Sequence, residues 1–512
     1  MGADVSLAEL LAALSVATDL GMGQEPEKAV RACLVATHLA RAMDLGEPDV
    51  HDVYYCTMLQ HLGCTAPAHE GTYLFGDDLI VAPRAERTDE GNPRELLALM
   101  ALVGKGTGVN RIRHLARTLS AGKEGTGQIV RAVCEVGARL AERLGLGGGV
   151  RNGLYHAVET WNGRHGAHGL AGDEIALPAR FSAVATQVVI FDRLGGPEAA
   201  LEMVHRRAGG WFDPAIAEVF ARVGPEVLAS LADVDVWVEV AAAEPRPARR
   251  VPAGRLDAVA AAFADMVDLK TPFTLNHSSQ VAELAVSAAE ALGLSAGEVE
   301  RLRRAALLHD LGRVAVPNAV WEKPGSLTTR DWEQVRLHAY HGERILARSP
   351  LLEPLGRIVG RHHERQDGSG YHRGASGTEV PVEARLLAAA DAFQAMTQAR
   401  PHRPARPPDE AAQEVESAAA AGAFDTECAR AVVEAAGQRP TRVRGTWPAG
   451  PSDREVEVLC LVATGRSNRE VAGSLIISPR TAEHHVQHIY AKIGVSTRAA
   501  AALFAMEHGL LR

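Results

Sequence analysis

Seven residues in the middle of the chain have types and spacing that can hold metal: His277, His309, Asp310, His338, His362, His363 and Asp391. Five imidazoles and two carboxylates suit iron, manganese or another divalent transition ion better than magnesium or calcium. Two such ions about 3.5–4 Å apart can clamp a phosphodiester in line for hydrolysis. The densest stretch is Arg361-His362-His363-Glu364-Arg365-Gln366-Asp367-Gly368-Ser369-Gly370-Tyr371. Adjacent histidines on a helix diverge by about 100°, so His362 and His363 can reach neighbouring ions. The Asp-Gly-Ser-Gly run after them reads as a turn. A second pair, His309-Asp310, interrupts the apolar run ending at Leu307-Leu308. Asp391 follows Leu386-Leu387-Ala388-Ala389-Ala390, where an unpaired carboxylate would be costly. His277 opens a segment whose Val281, Leu284, Ala285 and Ala288 form one apolar helical face.

These residues need helices to position them, and the composition supplies them. The 512 residues are rich in Ala, Leu, Val, Arg and Glu and poor in aromatics, so an all-α chain of several domains is expected. The net charge of −9 excludes a wholly basic nucleic-acid coat, although a small DNA-reading domain can hide in that average. Cys33, Cys56, Cys64, Cys134, Cys428 and Cys460 show no C-x-x-C spacing and read as reduced core thiols. No apolar run reaches membrane-spanning length, and Asp4 and Glu9 stand where a signal peptide would be basic. A cytoplasmic protein that binds no membrane is expected. Composition divides the chain into a helical module at 1–240 with an irregular Gly-rich patch near 65–125, a Pro/Arg-rich linker at 241–253, a helical module at 254–436, a linker at 437–450 and a compact unit at 451–512.

The two helical modules read as an internal duplication. Trp161-Asn162-Gly163, Gly172-Asp173-Glu174 and Ala179-Arg180 match Gln366-Asp367-Gly368, Gly377-Thr378-Glu379 and Ala384-Arg385 at a constant offset of 205. Leu59-Gln60-His61-Leu62-Gly63 matches Leu308-His309-Asp310-Leu311-Gly312 at 249, so an insertion of 44 residues falls within the Gly-rich patch. By this register Lys28 stands for His277, Gln60-His61 for His309-Asp310, Val133 for His338, Ala157-Val158 for His362-His363 and Thr186 for Asp391. The first copy keeps no ligand set and reads as a packing, pairing or sensing module. His156, His165 and His168 lie near its lost site and read as loop histidines.

Residues 277–430 resemble an HD-GYP domain, the branch of HD phosphohydrolases that opens cyclic di-GMP. The matching pieces are His277-Ser-Ser-Gln-Val-Ala282, Leu308-His-Asp-Leu-Gly312, His338 with Gly342-Glu-Arg-Ile-Leu346, His362-His-Glu-Arg365, Asp367-Gly-Ser-Gly-Tyr371, Ala389-Ala-Asp-Ala-Phe393 and Arg400-Pro-His-Arg403. The resemblance implies that the seven residues are ligands to two ions, bridged by Asp310. It places His309, Asp310 and Arg313 in catalysis, and Tyr371, Arg400 and Arg403 at the substrate. Three positions depart from the family: His372 replaces the proline of the namesake motif, Arg313 replaces a lysine, and Phe273 stands where trinuclear members carry glutamate. A third ion is therefore not expected.

In the last unit, Ser452-x-x-Glu455 and Ser467-x-x-Glu470 are capping boxes, and Ser478-Pro479 is an N-cap with proline at the first helical position. Ala482, Val486, Ile489 and Ile493 form the buried stripe of the helix that follows. This is helix-turn-helix order. The strings Arg454-Glu-Val-Glu-Val-Leu459, Gly465-Arg-Ser-Asn-Arg-Glu-Val-Ala472 and Ile477-Ser-Pro-Arg-Thr-Ala-Glu-His-His-Val486 resemble the LuxR-type DNA-binding domain. That resemblance implies a four-helix domain, dimerisation on DNA, and DNA contact through Arg480, Thr481, His484, His485, His488 and Lys492. The whole chain thus reads as two HD-like helical modules in tandem, one degenerate, followed by a DNA reader. Either it hydrolyses cyclic di-GMP or a related phosphodiester, or its metal module binds the nucleotide without useful turnover and gates DNA binding.

Overall fold

The computed structural model describes residues 5–89, 91–105, 110–437 and 451–511. The chain divides into two units, residues 1–255 and 256–512. Both are helical, as expected, apart from one two-residue pairing of Val5-Ser6 with Arg250-Val251. That pairing alters the expected first linker. Arg250-Val251 is a strand of the first unit, and buried Glu244 accepts hydrogen bonds from the Tyr55 hydroxyl (2.6 Å) and the Arg249 amide (2.7 Å). The segment's backbone groups are thus satisfied by its own unit, and it is no free tether. The expected 437–450 linker lies, beyond Gly437, outside the described residues.

In each unit one helix packs chiefly against three others. Lys28–Ala42 meets Glu47–Met58, Leu177–Arg207 and Pro214–Ser230; His277–Ala291 meets Ala296–Leu308, Val382–Thr397 and Thr426–Gly437. Both helices start from a residue in the left-handed region, Glu27 and Asn276, that makes no side-chain cap. A buried aspartate from the preceding helix caps each instead. Asp19 accepts from the Ala29 amide at 3.2 Å and Asp268 from the Ser278 amide at 2.9 Å, meeting donors that the first helical turn leaves open. Farther along, Arg180 pairs with Asp213 at 3.1 Å and Arg385 with Asp425 at 3.3 Å.

The tightest shared device is a glycine contact. A Cβ on Gly312 would stand 2.0 Å from the His338 carbonyl oxygen, and one on Gly63 would stand 2.0 Å from that of Val133. Only glycine lets the turn after His309-Asp310 approach the helix Thr329–Leu346 this closely.

The Gly-rich patch differs from expectation. Within 65–125 the chain forms the helices Ala68–Phe75, Asp78–Arg87 and Pro93–Met100, then enters Arg111–Arg143, whose only non-helical residue is Gly122. Asp77 and Asn92 cap two of these starts through their side chains, and proline occupies the first turn of the third. Cap residues had outweighed glycine content.

Four helices follow position 451: Asp453–Ala463, Asn468–Leu475, Pro479–Ile493 and Arg498–Glu507. Both capping boxes form, and Ala482, Val486, Ile489 and Ile493 are the buried residues of the third helix.

Gly312→Ala and Gly63→Ala are each expected to destabilise the protein by about 1–3 kcal/mol or more through overpacking. Thermal unfolding of the two variants checks this, and wild-type melting temperatures would show that the glycines are dispensable.

Candidate metal centre

The seven side chains arrive from separate elements. His277 opens its helix, His309-Asp310 form the turn between Ala296–Leu308 and the short helix Leu311–Ala315, and His338 lies within Thr329–Leu346. Asp391 lies within Val382–Thr397. His362 and His363 follow the helix Glu353–Val359 and sit in a turn, not on a helix as the sequence suggested. The two rings lie side by side, with centroids 4.1 Å apart and planes tilted by 42°.

All seven converge. His338, His362 and His363 form one set whose ligand atoms lie within 4.8 Å of one another; His277, His309 and Asp310 form another; His309, His362 and Asp391 a third. Asp310 faces two of these sets at once. Its Oδ1 is 3.5 Å from His338 Nε2, while Oδ2 is 3.5 Å from His309 Nε2 and 3.8 Å from His277 Nε2. A carboxylate with one oxygen toward each set is the geometry of a bridge. Asp391 spans similarly, with Oδ1 3.1 Å from His277 and Oδ2 3.9 Å from His363.

The surroundings orient the rings. His309, His338 and His362 place Nδ1 against the carbonyls of Ala306, Val335 and Val359, three residues earlier in each case. His277 Nδ1 meets Gln398 Oε1 at 3.0 Å. An Nδ1–H so engaged leaves the Nε2 lone pair aimed inward, which is how metal-ligating histidines are held. Burial, with neighbouring rings second, pushes the His362 imidazole down to about 3, so this ring is neutral at ordinary pH. Burial would raise Asp310, but the Arg313 guanidinium at 2.8 Å and the rings of His309, His338 and His277 together outweigh it and keep the carboxyl below its usual range. The decisive atom is His309 Nε2, which is buried without a hydrogen-bond partner. A divalent transition ion fits these donors and would satisfy that atom.

The residues expected at substrate separate. Tyr371 stacks on His363, centroids 4.3 Å apart, at the edge of the site. Arg400 is held by the Phe273 carbonyl at 3.1 Å and Gln398 Oε1 at 3.4 Å. Arg403 instead donates to the carbonyls of Ala395, Met396, Gln398 and Pro404, capping the end of Val382–Thr397. Its guanidinium is thus engaged by backbone through Nη1 and Nη2. Gln398 and Trp321 escaped the sequence reading because neither belongs to a ligand pattern. A half-buried tryptophan close after His309-Asp310 was the available signal.

The first unit fills the corresponding place differently. Lys28 Nζ lies 2.5 Å from Glu86 Oε1 and 3.2 Å from the His61 ring, and His61 Nε2 is 2.9 Å from the same carboxylate. Gln60 Oε1 accepts from the hydroxyls of Ser182 (2.9 Å) and Thr186. Glu86 belongs to the insertion. It is fixed there by Gln24 at 2.6 Å, while Gln187 and Arg207 hold the carbonyls of Glu86 and Arg87, each at 2.7 Å. Among the described residues, every His/Cys/Asp/Glu group with metal-binding spacing lies in the second unit. His156 Nδ1 accepts from the Ala176 amide at 3.0 Å, and His168 stacks on Tyr155 with centroids 4.1 Å apart.

Of the six residues expected at DNA, Arg480, Thr481 and His484 are exposed and His485 is half-buried. His488 and Lys492 are exposed as well, and each also meets Glu455, at 2.8 Å. These two tie the third helix to the first, a role the sequence did not suggest.

Comparison with known proteins agrees with this division. Residues 261–428 match the HD domain family, and residues 452–505 match the luxR family of bacterial regulatory proteins. The chain is 32% identical over 437 residues to a 3'3'-cGAMP-specific phosphodiesterase of Vibrio cholerae, covering 84% of this chain and 94% of that one. It is 40% identical over 146 residues to a cyclic di-GMP phosphodiesterase of Thermotoga maritima, covering 28% of this chain and 40% of that protein. A solved structure of a cyclic GMP-AMP specific phosphodiesterase from V. cholerae superimposes with a TM-score of 0.60 at 30% identity, over 86% of this chain and 99% of that one.

The ion pair in the first unit generates a pH prediction. Burial would raise Glu86, but Lys28 and then His61 outweigh it and hold the carboxyl below its ordinary value. A carboxyl lowered on folding contributes stability above its unfolded value and loses it as pH falls, here from about pH 5 downward. Glu86→Gln should remove that acid-sensitive component and, by leaving the Lys28 ammonium buried without counter-charge, cost about 3–5 kcal/mol. Calorimetry across pH 3–8 checks both effects, and a variant as stable as wild type throughout would contradict them.

Proposed function

The chain belongs to the HD-GYP family of HD-domain phosphohydrolases, and from that premise we propose that residues 254–436 hydrolyse a cyclic dinucleotide at a two-ion centre coupled to a LuxR-type DNA reader. The observation that carries the proposal is Asp310, with one oxygen toward each of two ligand sets beside the partnerless His309 Nε2. Substrate class follows the relatives, which act on 3'3'-cGAMP or cyclic di-GMP. Iron or manganese is the cofactor this donor set favours.

His277, His309, His338, His362, His363, Asp310 and Asp391 would hold the pair of ions. When bound, they supply Lewis-acid activation of a phosphodiester and a nucleophile at neutral pH. The chain's own groups do the rest. Asp310 fixes the separation of the two ligand sets. Arg400 and Arg313 offer guanidinium forks that match phosphate oxygens. Tyr371, whose ring lies 4.3 Å from that of His363 at a tilt of 30°, stands beside the ligands as a substrate contact.

We take the first unit as a degenerate copy of the same module: the buried aspartate caps, the glycine contacts and the Arg–Asp pairs recur in both. Its role is then structural or in pairing, since Lys28 and Glu86 occupy the position of the centre. Residues 451–512 bind DNA, with Arg480, Thr481, His484, His485, His488 and Lys492 as the contact residues. A homodimer would set two such readers about one DNA turn apart.

Incubating the full chain with manganese or ferrous iron and either cyclic di-GMP or 3'3'-cGAMP should yield linear dinucleotide, and Asp310→Ala should abolish it. Unchanged turnover in that variant would place the chemistry elsewhere. With hydrolysis blocked, the nucleotide should change DNA affinity by roughly 5- to 150-fold, and DNA should change nucleotide affinity by the same factor. Titrations at one salt concentration that show neither effect would reduce the fusion to a tether.

A further inference from the structure

Arg313 and Trp321 contact each other at both ends of the arginine. The guanidinium carbon lies 4.0 Å from the centroid of the Trp321 ring. Nη1 donates to Asp310 Oδ2 at 2.8 Å. The indole Nε1–H donates to the Arg313 carbonyl at 3.3 Å. Trp321 closes the short helix Asn318–Trp321, and its ring also meets His338 edge-on at 5.9 Å.

A guanidinium anchored through one N–H can still rotate about that bond. An aromatic face beneath it removes the freedom, because the planar cation is attracted flat to the ring. The Trp321 contact therefore sets the plane of Arg313 while Nη1 stays on Asp310, leaving the remaining N–H edge to meet a phosphate oxygen. A lysine ammonium has no plane to be set in this way. The stack thus gives a physical reason for arginine at a position where the HD-GYP resemblance expects lysine.

We propose that Trp321 is a positioning residue for the phosphodiester reaction, acting by fixing the Arg313 guanidinium beside Asp310. The inference rests on the hydrolytic reading above, and its test separates the two. Four variants of the full chain are compared with wild type: W321F, W321L, R313K and R313K/W321L. Turnover of a cyclic dinucleotide and bound manganese are measured for each. W321F keeps a ring under the guanidinium and should stay within about threefold of wild type in kcat/KM. W321L should lose roughly tenfold. R313K should lose a similar factor, and the double variant no more than R313K alone, because Trp321 acts through Arg313. Bound manganese should be unchanged throughout.

Losses that multiply in the double variant would overturn the proposal. So would loss of manganese in W321L, which would assign Trp321 to packing His338. If wild type hydrolyses neither cyclic di-GMP nor 3'3'-cGAMP, the hydrolytic reading fails by itself. The same cycle is then read on cyclic di-GMP affinity by calorimetry, where non-additive losses sustain the Trp321–Arg313 coupling and additive ones overturn it.

Discussion

Polar groups buried in a core of leucine and alanine must be satisfied by one another or by a ligand. On the proposed duplication, both helical units face that constraint at the same place and meet it in opposite ways. In the second, seven side chains converge with their Nε2 and carboxylate oxygens aimed at a common centre, and His309 Nε2 finds no protein partner. The deficit is what a cation repairs. In the first, Lys28 supplies the positive charge and Glu86 the negative, so the charges there compensate each other within the protein. Breaking such a buried pair is costly because the survivor is left uncompensated. The helix packing, the aspartate caps and the glycine contacts recur because either solution needs the same convergence.

Much of this was legible in the sequence. Ligand positions could be read because a histidine or aspartate inside an apolar helical run has few structural excuses. The last four helices could be read because serine and glutamate three apart, and proline after serine, are local signals that tertiary context did not override. What escaped depends on long-range partners. Glu86 is one acidic residue among many until Lys28 and His61 are seen around it. Arg403 reads as a phosphate ligand, yet its guanidinium also meets four carbonyls. His488 and Lys492 lie on the polar side of their helix, yet Glu455, 33 and 37 residues away, meets both. The insertion misled for another reason: its glycines suggested loops, while Asp77, Asn92 and Pro93 were enough to start helices.

The same contrast bears on regulation. The first unit compensates its buried charges with Lys28 and Glu86, whereas the second carries a buried His309 Nε2 that makes no hydrogen bond within the protein. A ligand shifts an equilibrium only through differential affinity for two states. On the proposed function, the second unit is where a nucleotide signal enters.

The most direct test is anomalous X-ray scattering from crystals of the manganese-loaded protein. The account predicts two peaks, about 3.5–4 Å apart, between Asp310 and the histidines of the second unit, and none beside Lys28 and Glu86. A single peak in the second unit, or a peak in the first, would contradict it.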